Sequence, residues 1–288
     1  MVKYVYYHSA DLDGHCSGEI ARRALTASDP KGSDVVMIGI NYGDPYYLTH
    51  KDTDDLWFVD ICPDVLPEAD NITIIDHHKT KDHIQTDINA GKYKGIIDTS
   101  GDTPATRMSA CELCWKYFYS SDMPLFIKLL GRYDVWDHFN PHVLPFQYGM
   151  RTYETLPGSQ IWDELFSGIT IQHIINIGDR LIFKEEKDNT IRMKHAISYR
   201  LSTTAGSIDV IASIGAPCNS LAFKSVFDPL VHHAMMNIVY NKSGWRISLY
   251  NNNAQIDLSP IAKAFGGGGH AHACGFQVKS LKELGLNL

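Results

Sequence analysis

Short apolar runs alternate with stretches of helical periodicity along the first half of the chain. Apolar runs at 4–7, 35–38, 56–59, 72–75 and 95–97 are bounded by Asp, His or Gly in the manner of buried parallel strands. Apolar positions spaced as on one helix face occupy 17–25, 103–119 and 124–133. This order predicts an α/β domain with a mostly parallel sheet flanked by helices. From about 146 to 194 the pattern changes. Apolar positions recur at helical spacing over 171–183, and a charged stretch, 184–188, follows, as in a helical connector. Beyond 197, strand-like segments at 208–214, 236–240 and 245–250 lead to a helix over 259–265, a glycine tract and a last strand at 274–278. That is the order of a smaller α+β domain. The expected division is therefore 1–150, 151–196 and 197–288.

A chain of 288 residues with 44% hydrophobic residues is long enough for two cores. No apolar stretch reaches the roughly 18 residues of a membrane span. The opening residues read as a strand and lack the apolar core of a signal peptide, so a cytoplasmic protein is expected. The net charge of −7 gives no support to a long nucleic-acid duplex as partner. Among six cysteines only Cys111 and Cys114 have C-x-x-C spacing, and no second pair completes a zinc site. They fall inside an expected helix and are read as core residues. Disulfides are not expected.

The residues able to do chemistry fall in clusters. His8-x-x-Asp11-x-Asp13-Gly14 follows the first strand, Asp60 closes the run 56–59, and Asp76-His77-His78 closes the run 72–75. A fourth cluster, Tyr133-Asp134-Val135-Trp136-Asp137-His138, follows a helix. The first three lie just past the carboxyl ends of strands, the edge where open α/β sheets bind ligands. Carboxylates gathered there repel one another unless positive charge lies between them. Asp11, Asp13, Asp60 and Asp134 carry four negative charges, which two divalent ions would balance. Asp together with neutral His suits Mn²⁺, Fe²⁺, Co²⁺ or Zn²⁺ better than Ca²⁺. Two such ions roughly 3.5–4 Å apart can clamp a phosphoryl group during in-line attack. Taken singly, each cluster has a plainer reading: a turn for D-x-D-G, a cap for Asp60, core packing for Trp136. The order and strand-end placement of the first three favour a site.

A fifth cluster lies in the second domain. Gly266–Gly269 precede His270, and such a tract lets backbone approach a ligand closely, with amides able to face an anion. Its plainer reading is a hinge.

Five motifs in this order resemble the DHH/DHHA1 phosphoesterase superfamily across essentially the whole chain. The signature Asp-His-His stands at 76–78, and Gly266–His270 resembles the GGGH signature of the DHHA1 domain. The resemblance implies one ion held by His8, Asp11 and Asp60, and another by Asp13, Asp60, His77 and Asp134, with Mn²⁺ the expected metal. His78 would touch substrate, and Asp76 would orient an imidazole. Asp134 is preferred to Asp137 because Y-D-x-W is similar to the oligoribonuclease branch. Among compact members, the B-type nanoRNases look most similar. The implied activity is hydrolysis of short oligoribonucleotides or linear dinucleotides to nucleoside 5′-monophosphates by a two-metal, bridging-hydroxide mechanism. Asp60, Asp76, His77 and His78 would be its catalytic residues. Gly267, Gly268, Gly269 and His270 would grip the terminal nucleotide, with domain closure selecting short substrates. Members of this family often carry an Arg where Tyr250 stands here. Tyr250 can stack on a base but cannot form a bidentate phosphate contact, and Arg246, four residues earlier on the same strand face, is the candidate substitute. Trp136 is a second candidate to stack a base. A homodimer is a further implication. The rival readings are a cyclic-dinucleotide phosphodiesterase, a 3′-phosphoadenosine 5′-phosphate phosphatase with the same site, and a nucleotide-binding module without activity.

Overall fold

Alternate residues of the first strands enter two different cores, one on each face of a sheet. Val5, Tyr7, Val59 and Ile75 join one cluster, and Tyr6, Leu56, Phe58, Ile72 and Ile74 join the other. Burial on both faces explains why these strands read as continuous apolar runs. The computed structural model describes residues 2–28, 34–42, 44, 54–63, 65–67, 69, 71–78, 82–168, 170–252 and 256–286, with only the backbone of Asp82 and His270. In order the elements are β1 (Lys3–His8), α1 (Leu12–Ala27), β2 (Val35–Ile40), β3 (Asp55–Val59), β4 (Asn71–Asp76), α2 (Asp82–Asn89) and β5 (Lys94–Ile97). Then come α3 (Ala110–Phe118), α4 (Leu125–Asp134), α5 (Val143–Met150), α6 (Gln160–Ser167) and α7 (Ile171–Met193). The second part holds β6 (Ile197–Thr203), β7 (Gly206–Ile214), β8 (Ala234–Asn241), β9 (Gly244–Tyr250), α8 (Ser259–Ala264), β10 (Gly268–His270) and β11 (Ala273–Val278).

Strands β1 to β5 form a five-stranded sheet of order β2-β1-β3-β4-β5, and every pairing in it is parallel. The expected α/β domain with a largely parallel sheet is thus present. Residues of α1, α3, α4, α5, α6 and α7 pack in the first cluster, and Ile84 of α2 packs in the second. Strands β6 to β11 form a six-stranded sheet of order β10-β11-β9-β8-β7-β6, in which β7 and β8 alone pair parallel. Its core gathers Leu201, Val210, Met236, Ile247, Leu249, Ile261 and Phe276. Two compact units result, Met1–Ile182 and Phe183–Leu288. Of the stretch expected as a connector, Ile161, Trp162, Leu165, Ile174 and Ile175 belong to the first core. Among the described residues, no helix is long and apolar enough to cross a membrane.

Helix boundaries differ from the periodicity in two instructive places. Helix α1 starts at Leu12 rather than 17, because Asp11 caps it: its Oδ1 accepts from Gly14 N at 2.9 Å. Helix α3 starts at Ala110 rather than 103. Ser109 and Glu112 form a capping box there, with Ser109 N donating to Glu112 Oε2 at 3.1 Å. The residues from 101 to 109 are left as an irregular segment, tied down by Arg132, which donates to the carbonyls of Pro104 and Arg107.

Candidate metal centre

Three adjacent parallel strands, β1, β3 and β4, run in the same direction and bring their carboxyl ends to one edge of the sheet. There β1 ends in His8, β3 is followed by Asp60, and β4 ends in Asp76 before His77 and His78. The chain turns sharply after β3 and β1. Asp60 has φ 59°, in the left-handed region that Asp tolerates better than most residues, and its N–H still donates to Ile75 O at 2.9 Å. After β1, helix α1 begins so close that a Cβ at Gly14 would lie 2.0 Å from His8 O. Only glycine fits there, and this contact fixes Asp11 and Asp13 beside His8.

The side chains meet as follows. His8 Nδ1 lies 3.1 Å from Asp11 Oδ2 and 3.5 Å from Asp60 Oδ2. His77 Nε2 lies 3.4 Å from Asp60 Oδ1, 3.3 Å from Asp134 Oδ2 and 3.9 Å from Asp13 Oδ2. Asp60 therefore stands between the two imidazoles, with one oxygen toward each. Asp13 is buried, and its two oxygens accept from the Ala110 and Cys111 amides of the first turn of α3 at 2.9 and 3.0 Å. Those amides and the helix dipole hold a carboxylate that burial alone would disfavour. Asp76 is also buried. Its Oδ1 accepts from the amides of His77 and His78 at 2.7 and 3.2 Å and from His78 Nδ1 at 2.6 Å, which orients that ring and leaves its Nε2 facing away. Asp137, the alternative to Asp134, instead pairs with Arg132 at 3.6 Å.

Charge crowding shows in the titration of these groups. Contact with Asp11, then with Asp60, pushes His8 from 6.5 up to about 10. Burial pulls His77 down, but Asp60 and the charges of Asp13 and Asp134 outweigh it and push the ring up to about 10. Burial, then repulsion by Asp60 and Asp134, holds Asp13 well above the usual carboxylate range. Burial raises Asp134 to about 6 against the pull of His77. Burial would raise Asp11 too, yet its contact with His8 and the Gly14 amide bring it below the ordinary value. Carboxylates this close bind positive charge, whether as protons or as cations.

Among the described residues, three groups of side chains can each converge on one cation, with ligand atoms within 4.8 Å of one another: His8, Asp11 and Asp60; Asp13, His77 and Asp134; Asp60, His77 and His78. Asp60 Oδ1 and His8 Nδ1 are buried without a hydrogen bond, as ligand atoms for a metal would be. Donor type, count and orphaned atoms all fit divalent transition metals.

Two aromatic residues neighbour the cluster. Tyr42 lies edge-on to both His8 and His78, with ring centroids 5.7 Å from each. Trp136 has φ 62° and an indole 75% exposed, stacked on His138. The signal for Trp136 was its position two residues after Asp134; none pointed to Tyr42.

The expected substrate-binding residues belong to the second unit. The amides of Gly266 and Gly267 donate to Lys263 O and Ala262 O and so close α8. A Cβ at Gly267 would lie 2.2 Å from Gly275 O, whereas one at Gly268 would meet open space. Gly269 and His270 pair with Cys274 and Ala273 of β11; the His270 side chain lies outside the described residues. Arg246 is exposed on β9, and Tyr250 packs half-buried against the cluster of Met193, Ile211 and Phe223.

No family model matches the chain. An uncharacterized protein of Acanthamoeba polyphaga mimivirus is 25% identical over 228 residues, 76% of this chain and 50% of that protein, so the chain spans about half the length of this curated relative. Three solved structures share the fold. A pGpG-specific phosphodiesterase from Vibrio cholerae has TM-score 0.52 and 13% identity, over 98% of this chain and 95% of that one. The DHH domain of a member of the s1p family of ribosomal proteins has TM-score 0.55 and 14% identity, over 96% and 82%. An exopolyphosphatase-related protein from Bacteroides fragilis has TM-score 0.53 and 15% identity, over 98% and 88%.

Proposed function

We propose that this chain, whose fold is that of the DHH-domain proteins, is a metal-dependent phosphodiesterase that releases nucleoside 5′-monophosphates from short oligoribonucleotides or linear dinucleotides. The observation that carries the reading is the meeting of His8, Asp11, Asp13, Asp60, His77 and Asp134, from separate stretches of chain, around one strand edge. The fold shared with a pGpG-specific phosphodiesterase supports the substrate class.

In this reading His8, Asp11 and Asp60 would hold one cation, and Asp13, Asp60, His77 and Asp134 would hold another. Two divalent ions, Mn²⁺ first among the candidates, supply charge that steadies phosphoryl oxygens and makes an attacking water more acidic. The protein's own groups do the rest. Asp76 accepts from His78 Nδ1–H and fixes the ring, so that the protonated imidazole would donate from Nε2 to the substrate phosphate. The α3 amides hold Asp13 in place, so its carboxylate needs no reorganisation when substrate arrives. The glycine tract 267–269 with His270, aided by Arg246 and Tyr250, is assigned to the terminal nucleotide.

The test is a panel of pGpG, short RNA, cyclic dinucleotides and 3′-phosphoadenosine 5′-phosphate, incubated with the Mn²⁺-loaded protein and resolved by chromatography. Release of nucleoside 5′-monophosphates from the linear substrates is expected. Asp60→Ala is expected to lower turnover by more than the ~10–100-fold that substitutions behind a metal ligand cost. Failure to cleave any member of the panel would sink the reading, and preference for a cyclic or bisphosphate substrate would reassign it.

A further inference from the structure

Beside the acidic cluster, wholly within the first unit, lies a pocket of about 220 Å³ that Asp98, Arg107 and Trp136 line together with His77, His78 and Asp134. Its outer part differs from the cluster. Arg107 is half-buried; its Nε donates to Gly101 O at 3.1 Å, and among the described residues no carboxylate pairs with its guanidinium. Arg132 holds the segment, donating to Arg107 O at 2.7 Å. Asp98 is fixed as well, its Oδ1 accepting from Ser100 N at 2.9 Å and Ser100 Oγ at 2.5 Å. The indole of Trp136 stacks on His138 at 5.5 Å, His138 stacks on Tyr133 at 5.3 Å, and the indole is still 75% exposed. A flat ring supported on one side and open on the other suits a nucleobase.

We propose that this pocket reads guanine in the substrate of the reaction assigned above, on which the proposal rests. The base stacks on Trp136, Arg107 donates its forked N–H groups to O6 and N7, and Asp98 accepts from N1–H and the 2-amino group. Arginine and guanine match in that geometry because two parallel donors face two acceptors. A second phosphate fits the pocket poorly. It would meet the carboxylates of Asp98 and Asp134, and the walls of Met108, Val135 and Trp136 offer it nothing. The volume points the same way, being below the ~300–1,000 Å³ of pockets that enclose a whole ligand, yet ample for one base. Adenine turns an amino group toward Arg107 where guanine offers an oxygen, and it lacks the 2-amino group that Asp98 would accept.

The proposal is tested by calorimetric titration of the Mn²⁺-loaded full chain with GMP, AMP and UMP. Their common phosphate meets the metals alike, so the ratio of affinities isolates the base. GMP is expected to bind at least ~10-fold more tightly than AMP. Arg107→Lys keeps the charge but not the fork, and Asp98→Asn replaces an acceptor with a mixed group; each is expected to shrink the ratio toward one. Trp136→Ala is expected to weaken all three nucleotides by ~10-fold and to leave the ratio alone. Equal affinities for GMP and AMP, or a preference that survives both Arg107→Lys and Asp98→Asn, overturns the subsite. The readout is binding, so the two readings fail separately. Guanine-selective binding without turnover of any panel substrate overturns the hydrolase, and turnover without base preference overturns the subsite.

Discussion

Asp60 combines an unusual backbone with an unusual position. Its left-handed φ of 59° costs roughly 1–3 kcal/mol in most residues, and its carboxylate lies against both His8 and His77. Asn tolerates that backbone and Ala does not. Asp60→Asn is therefore expected to unfold near the wild-type urea midpoint and Asp60→Ala about 1 kcal/mol earlier, while both lose Mn²⁺ affinity in calorimetry. The imidazoles give a pH signature. His8 and His77 are raised from 6.5 to about 10, so their contribution to stability is complete below 6.5 and fades as pH climbs through about 10. Asp134, raised to about 6, acts in the same direction: its ionisation costs stability above the ordinary carboxylate value of 3.8. In EDTA the melting temperature should fall from pH 6 to pH 9.5, and Mn²⁺ should remove the slope by replacing protons. A flat profile in EDTA would contradict this electrostatic account. Much of the cluster was legible in the sequence, because His8, Asp60 and Asp76-His77-His78 stand where apolar runs end, and Asp11 and Asp13 follow His8 within five residues. Tyr42 and Arg107 were not legible. They arrive from irregular segments, whose course depends on contacts such as Arg132 to Arg107 O rather than on any period.

Helices and strands differed in how openly the chain declared them. The buried strands were plain, since burial on both faces leaves unbroken apolar runs. Helix starts were obscured because polar caps interrupt the periodicity: Asp11 looks like part of a turn, and Ser109–Glu112 lies inside a longer apolar pattern. Helix α2, with eight residues, is too short for its spacing to stand out, and the alternation of β6 carries few buried residues. The contact between α1 and β1 leaves no room for a side chain. Gly14→Ala would drive a methyl group into His8 O, and an overpacking loss of ~3 kcal/mol or more is expected in urea unfolding. Helix α3 buries both Cys111 and Cys114, and burial pushes their thiols well above the ordinary range. Five of the six cysteines are buried, leaving Cys218 half-exposed. One thiol is thus expected to react with a disulfide reagent in the native protein and six after denaturation. Rapid native labelling of Cys111 or Cys114 would show that α3 opens.

At the scale of the whole molecule, every residue of the acidic cluster belongs to the first of two compact units. Each unit has its own sheet and core, so heating should resolve two transitions in a calorimeter. Mn²⁺ at 100 times its dissociation constant should stabilise one of them by about 2.7 kcal/mol and leave the other in place. A shift of both transitions together would mean that the units unfold as one. The double duty of Asp13 bears on what chelation does. Its carboxylate is moored to the Ala110 and Cys111 amides whatever else it touches, so stripping the metal leaves a shaped receptacle rather than a collapsed one. The ions then become interchangeable parts: a dialysed sample can be refilled with Co²⁺ for its colour or Mn²⁺ for its paramagnetism, turning the centre into its own spectroscopic reporter.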